Sequence, residues 1–200
     1  MGYHLKGLLY RILIDPLLNG PREELLKLLS RSDKIIDIAC GTGTLAIEMA
    51  KKSGEVTGID LDEGFIAYAI NRQRKEALKN LDFKILDASN LSCFSEKEFD
   101  IAVTSMAIHQ FEPFLAIKIL TEMKRISSKV LIADYNFPLP GNIPGKIATQ
   151  MEHLAGGDHF RNFKHYNSMG GMKYFITKAG LSICSESIRG SGVFVVALCE

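Results

Sequence analysis

Chemistry is most strongly indicated between Ile35 and Leu45, where the chain reads Ile-Ile-Asp-Ile-Ala-Cys-Gly-Thr-Gly-Thr-Leu. Apolar residues around a single acid are typical of a short buried strand. Gly41 and Gly43 then remove side chains where the backbone must turn tightly, so a ligand can approach the main chain closely. Apolar residues recur at helical spacing from Leu45 to Ala50. A strand, a glycine turn and a helix N-terminus in this order predict a nucleotide-binding corner.

Two more acids stand at the ends of strand-like runs further along the chain. Residues 55–60 end in Asp60, and residues 82–87 alternate in polarity and end in Asp87. Together with Asp37, they place an acid on each of three successive predicted strands. Any one of these acids is also explained as a solvated loop residue or a helix cap. Three in series favour a polar ligand at that edge of the sheet.

The elements that hold these residues are predicted to alternate between strands and helices. Further strands are expected at 99–105 and 129–134, with helices at 21–29, at 63–79 and from Pro113 onwards. This alternation implies a parallel sheet with helices on both faces. The pattern changes near the end, where two strand-like runs at 181–188 and 193–199 flank Arg189-Gly-Ser-Gly192. Such turn residues predict an antiparallel hairpin.

The segment Asp37-Ile-Ala-Cys-Gly-Thr-Gly43, followed by Gly58-Ile-Asp60, resembles the first two motifs of class I S-adenosylmethionine-dependent methyltransferases. The terminal hairpin is similar to the one that closes the sheet in that family. The resemblance implies an α/β fold, a doubly wound, seven-stranded, mostly parallel sheet with a C-terminal antiparallel hairpin (the Rossmann-like methyltransferase fold). It also implies a single methyltransferase domain over residues 1–200, with S-adenosylmethionine as the cofactor.

The same resemblance implies which residues contact the cofactor. Asp37 would receive the methionyl amino group, Asp60 would accept the ribose hydroxyls, and Leu61 would lie on the adenine ring. Asp87 would accept from the adenine amino group, and the backbone of Ala88 would contact a ring nitrogen. The complete expected set is Asp37, Ala39, Cys40, Gly41, Thr42, Gly43, Asp60, Leu61, Asp87, Ala88, Ser105 and Met106.

The residues after the fourth strand, Ser105 to Phe111, lie where this fold brings the chain past the transferable methyl group. They contain neither Asp/Asn-Pro-Pro-Tyr nor Pro-Cys, which are the patterns of family members that methylate nucleobases or glutamine. What remains resembles the small-molecule methyltransferases of ubiquinone and menaquinone biosynthesis. The predicted activity is therefore methyl transfer, by in-line displacement, to a small and partly apolar acceptor.

Methyl transfer mainly requires alignment and a dry pocket, and a base only if the acceptor loses a proton. His109 is the best candidate for that base, since the ordinary pKa of histidine is near 6.5. The alternative is a histidine that only packs beside the cofactor. Tyr135, and Tyr10 from the N-terminal region, are candidates for positioning the acceptor.

Two segments are expected to cover the site. Residues 1–30 are predicted to be helical and to form part of a lid, and an apolar stripe with basic flanks also allows contact with a membrane surface. Residues 136–180 form an insert rich in proline, glycine and aromatic residues, predicted to contain helices and to act as a cap. Within it, His153, His159 and His165 are evenly spaced, but six residues do not repeat on one helix face and Gly156-Gly157 interrupts the helix. No metal site is therefore expected.

Two other functions remain open at this point. Gly41 to Ala46 also satisfies the dinucleotide pattern Gly-x-Gly-x-x-Gly/Ala, and Tyr174 and Lys178 have the spacing found in short-chain dehydrogenases, so an NAD-dependent oxidoreductase is one alternative. The second is a protein that binds S-adenosylmethionine without catalysis. Asp37 before the glycines, and the terminal hairpin, favour the methyltransferase.

The amino-acid composition argues against several other classes of protein. Hydrophobic residues make up 46% of the 200 residues, enough for one domain with a sizeable core. Lysine and arginine number 24 against 23 for aspartate and glutamate, which argues against a nucleic-acid partner. No apolar stretch approaches the roughly 20 residues of a membrane-spanning helix. Four scattered cysteines are expected to be reduced thiols of a cytoplasmic protein, and the oligomeric state is left undetermined.

Overall fold

The computed structural model describes residues 18–200, so the N-terminal stripe and Tyr10 lie outside the described residues. One sheet contains seven strands in the order β3-β2-β1-β4-β5-β7-β6. The strands are β1 Lys34–Ile38, β2 Glu55–Asp60, β3 Leu81–Ile85, β4 Phe99–Ser105, β5 Ser127–Tyr135, β6 Ile183–Arg189 and β7 Phe194–Cys199. All pairs are parallel except those of β7, which runs antiparallel to both β5 and β6. The predicted sheet and its terminal hairpin are confirmed.

Helices follow the strands along the chain. They are α1 Asn19–Lys27, α2 Thr44–Ala50, α3 Glu63–Lys75, α4 Pro113–Ile126, α5 Ile143–Ala155, α6 Gly157–Ser168 and α7 Met172–Lys178, with a 3-10 turn at Ile108–Gln110. Three of them begin at a side-chain cap, because Asp62, Glu112 and Asn142 each accept a backbone N–H of the first turn. Such caps satisfy donors that a helix start leaves unpaired.

The central strands are buried on both faces, which explains their nearly continuous apolar sequence. In β1, Ile36 packs into one core and the neighbouring Ile35 into the other. Helices α1 to α3 contribute to the core that contains Ile35, while α4, α6 and α7 contribute to the core that contains Ile36. The alternation of strand side chains therefore fixes which helix covers which face.

Three predicted boundaries are wrong. Helix α1 ends at Lys27 rather than at Leu29. Helix α3 ends at Lys75 rather than near Lys79, since Ala77 adopts a left-handed φ of 53°. The side chain of Gln73 then donates to the carbonyl groups of Leu78 and Leu81, which satisfies backbone acceptors of the following turn. Strand β3 ends at Ile85, so Asp87 belongs to the loop after it.

The cap segment, residues 136–180, contains α5, α6 and α7. It is tied to the carboxyl ends of β4 and β5 by hydrogen bonds. The hydroxyl of Tyr166 donates to the carbonyl oxygen of Tyr135 at 2.6 Å, and Asn162 Nδ2 donates to the carbonyl oxygen of Gln110 at 2.8 Å. None of the helices within residues 18–200 is both long and apolar enough to cross a bilayer.

Candidate active site

A cavity of about 360 Å³, the first cavity, opens at the carboxyl ends of β1, β2 and β4. Strand order reverses between β1 and β4, and open α/β sheets bind ligands at such a switch point. Eight of the expected cofactor contacts line it, namely Asp37, Ala39, Cys40, Gly41, Thr42, Asp60, Ser105 and Met106. Ala39 and Met106, the residues directly after β1 and β4, both adopt a left-handed φ, of 58° and 56°. Backbone strain of this kind is concentrated at functional sites.

The two glycines of the turn have different roles. Gly41 has a φ of 53°, and a Cβ there would meet no atom within 4 Å, so its open backbone faces the first cavity. Gly43 has a φ of 71°, and a Cβ there would lie 2.6 Å from the ring of Phe83 and 2.8 Å from the Cβ of Ala69. Gly41 therefore leaves room for a ligand, whereas Gly43 lets α2 pack against its neighbours.

Asp60 holds the glycine turn in place. Its Oδ2 accepts the backbone N–H of Gly41 at 2.8 Å, and its Oδ1 accepts that of Asp62 at 2.9 Å. Carboxylate oxygens have further lone pairs, so Asp60 can accept additional hydroxyl groups from the cavity side. This geometry suits the role expected of Asp60 at the ribose.

Asp37 lies on β1 at the floor of the first cavity and is 2% exposed. Its burial, and secondarily the charge of Asp60, raise its pKa to about 8, while the charge of Arg22 acts in the opposite direction. Asp37 Oδ2 has no hydrogen-bond partner among the described residues. A cationic amino group would supply the partner that this carboxylate lacks and favour its ionised form.

Arg22 was not among the predicted site residues. It lies on α1, is 8% exposed and lines the first cavity beside Asp37. A buried guanidinium next to a site for an amino group is placed to receive a carboxylate. Pro21, one position earlier, predicted the start of a helix but not which face of that helix Arg22 would occupy.

Besides Gly43, three of the expected contacts lie away from the first cavity. Leu61 is 64% exposed, Asp87 is exposed and accepts the backbone N–H of Ser89, and Ala88 is buried in the apolar core. None of them lines the first cavity. Their roles at the adenine ring stay predictions.

A second polar group, the polar cluster, comprises His109, Asp134, Tyr135, Glu152 and His159. His109 Nδ1 lies 2.5 Å from Asp134 Oδ1, and the hydroxyl of Tyr135 donates to Glu152 Oε1 at 2.8 Å. Glu152 also lies close to both histidines, with Oε1 3.5 Å from His109 Nε2 and Oε2 2.7 Å from His159 Nε2. The cluster therefore joins the ends of β4 and β5 to helices α5 and α6 of the cap segment.

Within the polar cluster, histidine rings lie in contact with carboxylates, and these contacts shift the pKa values of both. Burial alone would lower the pKa of His109, but the carboxylates of Asp134 and Glu152 outweigh it and raise that pKa to about 9. Burial would likewise raise the pKa of Glu152, but its contacts with His109, His159 and Tyr135 hold it well below its usual range. His109 faces a carboxylate at each ring nitrogen, so this arrangement gives no direct support to the predicted general base.

The polar cluster lines one end of a larger cavity of about 670 Å³, the second cavity. Most of its other walls are apolar, formed by α5 and by residues around β7. These apolar residues are Leu18, Met106, Pro144, Ile147, Ala148, Met151, Leu154, Ala155, Val193 and Phe194. Four residues, Leu18, Met106, Gln110 and His159, line both cavities, so the two meet beside the end of β4.

A family model described as "Methyltransferase domain" matches residues 29–177, which include β1 to β5 and most of the cap segment. The chain belongs to this family. The resemblance to class I S-adenosylmethionine-dependent methyltransferases is thereby confirmed, and S-adenosylmethionine is the cofactor that the family implies. The residues lining the first cavity fit it, since Asp37 and Arg22 match the amino and carboxylate groups and Asp60 matches the ribose.

Individual curated methyltransferases are also similar to this chain in sequence. The ubiquinone/menaquinone biosynthesis C-methyltransferase UbiE of Bdellovibrio bacteriovorus is 30% identical over 115 residues, covering 54% of this chain and 48% of UbiE. The putative methyltransferase 235L of Invertebrate iridescent virus 6 is 30% identical over 131 residues, covering 64% of this chain and 45% of that protein. The chain thus spans about half the length of these curated relatives.

The fold is shared with solved structures of methyltransferases. A SAM-dependent methyltransferase from Aquifex aeolicus superimposes with a TM-score of 0.66 and 19% identity, covering 95% of this chain and 92% of that one. In this methyltransferase fold, Tyr174 and Lys178 lie on α7, where the Lys178 ammonium sits 5.7 Å from the Tyr174 ring. Neither residue lines the first or the second cavity, which argues against the oxidoreductase alternative.

Proposed function

We propose that the protein transfers the methyl group of S-adenosylmethionine to a small amphiphilic acceptor that occupies the second cavity. The observation that carries this proposal is the junction of the two cavities at Leu18, Met106, Gln110 and His159. A cofactor bound by Asp37 and Asp60 would extend its sulfonium end toward that junction. An acceptor atom in the second cavity could then approach the methyl group from the opposite side, as in-line displacement requires.

The walls of the second cavity support an acceptor with an apolar body and one polar end. Aliphatic side chains of α5 would bury the apolar part, while His109, Glu152 and His159 would contact the polar group. The volume of about 670 Å³ is that of a site for an ordinary small-molecule ligand. The name of the relative UbiE supports an aromatic or quinone-like acceptor.

The roles expected of His109 and Tyr135 are refined within this proposal. The Tyr135 hydroxyl donates to Glu152, so Tyr135 acts as a positioning residue for that carboxylate. His109 is held by Asp134 at Nδ1, which leaves Nε2 facing Glu152 at the acceptor end of the second cavity. Both residues would orient the polar end of the acceptor rather than take part in bond formation.

The cofactor half of the proposal is tested by calorimetric titration with S-adenosylmethionine, S-adenosylhomocysteine and NAD. We expect the first two ligands to bind and NAD not to bind. Asp60→Ala should weaken binding by roughly 100-fold, since it removes charged hydrogen bonds to the ribose and the anchor of Gly41. Binding of NAD alone would replace this function with that of an oxidoreductase.

The acceptor half is tested with methyl-labelled cofactor and a panel of alkylated phenols, hydroxyquinones and prenyl alcohols. Ala148→Phe fills the second cavity from α5 and should abolish transfer while cofactor affinity stays unchanged. Thr149→Phe, at an exposed position on the same helix, is the matched control and should retain transfer. Equal activity in both variants would show that the acceptor does not bind there.

A further inference from the structure

The polar cluster contains three buried polar atoms that lack a hydrogen-bond partner within the described part of the chain. They are His109 Nε2, Glu152 Oε2 and His159 Nε2. Ligand atoms of these three residues all lie within 4.8 Å of one another. Unpaired buried polar atoms are costly and uncommon in folded proteins. Three of them at one point, supplied by three different elements, call for a partner that all three share.

The distances fit a shared ion better than direct pairing. Glu152 Oε2 and His159 Nε2 lie 2.7 Å apart but lack the alignment of a hydrogen bond, and Glu152 Oε1 lies 3.5 Å from His109 Nε2. Bonds from a zinc-like ion to nitrogen or oxygen are about 2.0–2.2 Å long. Neighbouring ligands of one ion are then roughly 2.9–3.5 Å apart, so a shared ion needs the 2.7 Å between Glu152 Oε2 and His159 Nε2 to widen only slightly, within a set whose ligand atoms all lie inside 4.8 Å.

Surrounding contacts hold the ligand atoms in the orientation that a metal requires. Asp134 contacts His109 Nδ1, which leaves Nε2 as the nitrogen that faces Glu152 and His159. Asp134 is itself fixed by the backbone N–H groups of His109 and Tyr135. The Tyr135 hydroxyl donates to Glu152 Oε1 and leaves Oε2 without a hydrogen bond. Metal-binding histidines usually make a second hydrogen bond to a carboxylate, as His109 does to Asp134, and metal-binding carboxylates usually accept one, as Glu152 does from Tyr135.

We propose that His109, Glu152 and His159 bind one divalent transition-metal ion at the boundary between the two cavities. Two imidazoles and one carboxylate suit Zn²⁺, Fe²⁺ or Co²⁺, whereas Mg²⁺ and Ca²⁺ prefer oxygen ligands alone. Three protein ligands leave at least one coordination position open. Because all three residues line the second cavity, that position faces the acceptor end.

The backbone explains why residues so far apart in sequence can form this set. Gly156, with a φ of 68°, separates α5 from α6, and Gly157, with a φ of 51°, is the first residue of α6. The resulting corner returns His159 to the side of Glu152, while His153 and His165 remain exposed. The glycine pair that rules out a histidine row on one helix is therefore what assembles a different set.

A role for the ion in catalysis rests on the proposed function, whereas metal binding itself does not. An ion at this position would hold and polarise an oxygen of the acceptor next to the cofactor. Bound to His159, which lines both cavities, the same ion would also help to exclude water from the place where the cavities meet. Metal binding is therefore measured without any acceptor, so failure of one proposal is distinguishable from failure of the other.

The experiment uses tag-free, chelator-treated full-length protein titrated with Zn²⁺ by calorimetry and with Co²⁺ by visible absorption. One equivalent should bind, with the absorption bands of Co²⁺ coordinated by nitrogen and oxygen. Glu152→Gln and His159→Ala should each weaken binding by roughly 100-fold, because each removes one of three ligands. His165→Ala, on the exposed face of α6, is the matched control and should bind like the wild type.

Titration of every variant with S-adenosylhomocysteine separates metal loss from misfolding. Retained cofactor binding together with lost metal binding in Glu152→Gln, at a residue that does not line the first cavity, would support the site. The proposal is overturned if the wild type binds no stoichiometric Zn²⁺ or Co²⁺. It is equally overturned if Glu152→Gln and His159→Ala bind as tightly as His165→Ala.

Discussion

The first cavity and the polar cluster lie at the same edge of the sheet but are assembled in opposite ways. Seven of the seventeen residues that line the first cavity come from one continuous strand, turn and helix start, residues 37–45, to which Asp60 is hydrogen bonded. The polar cluster draws its side chains from the 3-10 turn, β5, α5 and α6, and tertiary packing alone brings them together. A site built by local backbone geometry depends on a few turn residues, whereas a site built by packing depends on every element that contributes.

The largest effect is expected inside the glycine turn. Gly43→Ala should lower the free energy of unfolding by about 2–5 kcal/mol, since it adds left-handed strain and a clash with Phe83 and Ala69. Gly41→Ala should cost only about 1–2 kcal/mol, because its Cβ meets no neighbour. Gly41→Ala should nevertheless weaken cofactor binding. Chemical denaturation and calorimetry measure the two effects, and equal destabilisation would contradict the division of roles.

The next effect concerns the polar cluster. Asp134→Asn removes the charge behind His109 and should lower the free energy of unfolding by roughly 2 kcal/mol. It should also weaken Zn²⁺ binding by about 10- to 100-fold, as loss of a support to a metal ligand does. Affinity for S-adenosylhomocysteine should not change, because Asp134 does not line the first cavity. A matching loss of cofactor affinity would show that the two sites are not independent.

Asp37 allows a test of the first cavity through pH. Its folded-state pKa of about 8 lies above the ordinary aspartate value near 3.9, so between these values the folded chain binds the extra proton. The contribution of Asp37 to stability therefore falls as pH rises toward 8 and is constant above it. Relative to the wild type, Asp37→Asn should gain roughly 1 kcal/mol in the free energy of unfolding between pH 6 and pH 7. Denaturant titrations at both pH values measure this gain.

The same variant should lose cofactor affinity, because a neutral amide does not pair with the methionyl amino group. Wild-type affinity should instead increase from pH 6 toward pH 8 as Asp37 ionises. A stability difference between variant and wild type that does not change with pH would contradict the raised pKa.

The smallest effect is expected at Tyr174. Tyr174→Phe should change the free energy of unfolding by less than about 0.5 kcal/mol, because the ring contacts with Phe175 and Lys178 are retained. Cofactor affinity and methyl transfer should be unaffected, since Tyr174 lines neither cavity. Loss of turnover in this variant would revive the oxidoreductase pattern that Tyr174 and Lys178 form in the sequence.

The first cavity was largely predictable because its signals are local. Glycines and acids at strand ends report backbone geometry directly, and the alternation of elements then fixes the sheet. Arg22 was not predictable, since a single arginine in a charged helix gives no sign of which face it occupies. Leu61 is 64% exposed in the loop after β2, and its expected place at the adenine ring stays a prediction.

The polar cluster was only partly predictable. His109 and Tyr135 follow strands whose ends the sequence identifies, so both were recognised as site candidates. Glu152 is one of several charged residues in the cap segment, and its burial results from the angle at which α5 meets α6. Gly156 and long-range packing set that angle. Neither produces a periodic pattern in the sequence from which the angle could be predicted.

Strand β7 lies between β5 and β6 in the sheet although it follows both of them in the chain. During synthesis β6 is therefore made before the strand that must pair with it, and it does not pair with β5 directly. An unpaired strand is a template for association with other chains. Until β7 has docked, both β5 and β6 keep an edge without a partner, so folding chains should be most prone to aggregate in that state. Substitutions that weaken β7 should prolong it.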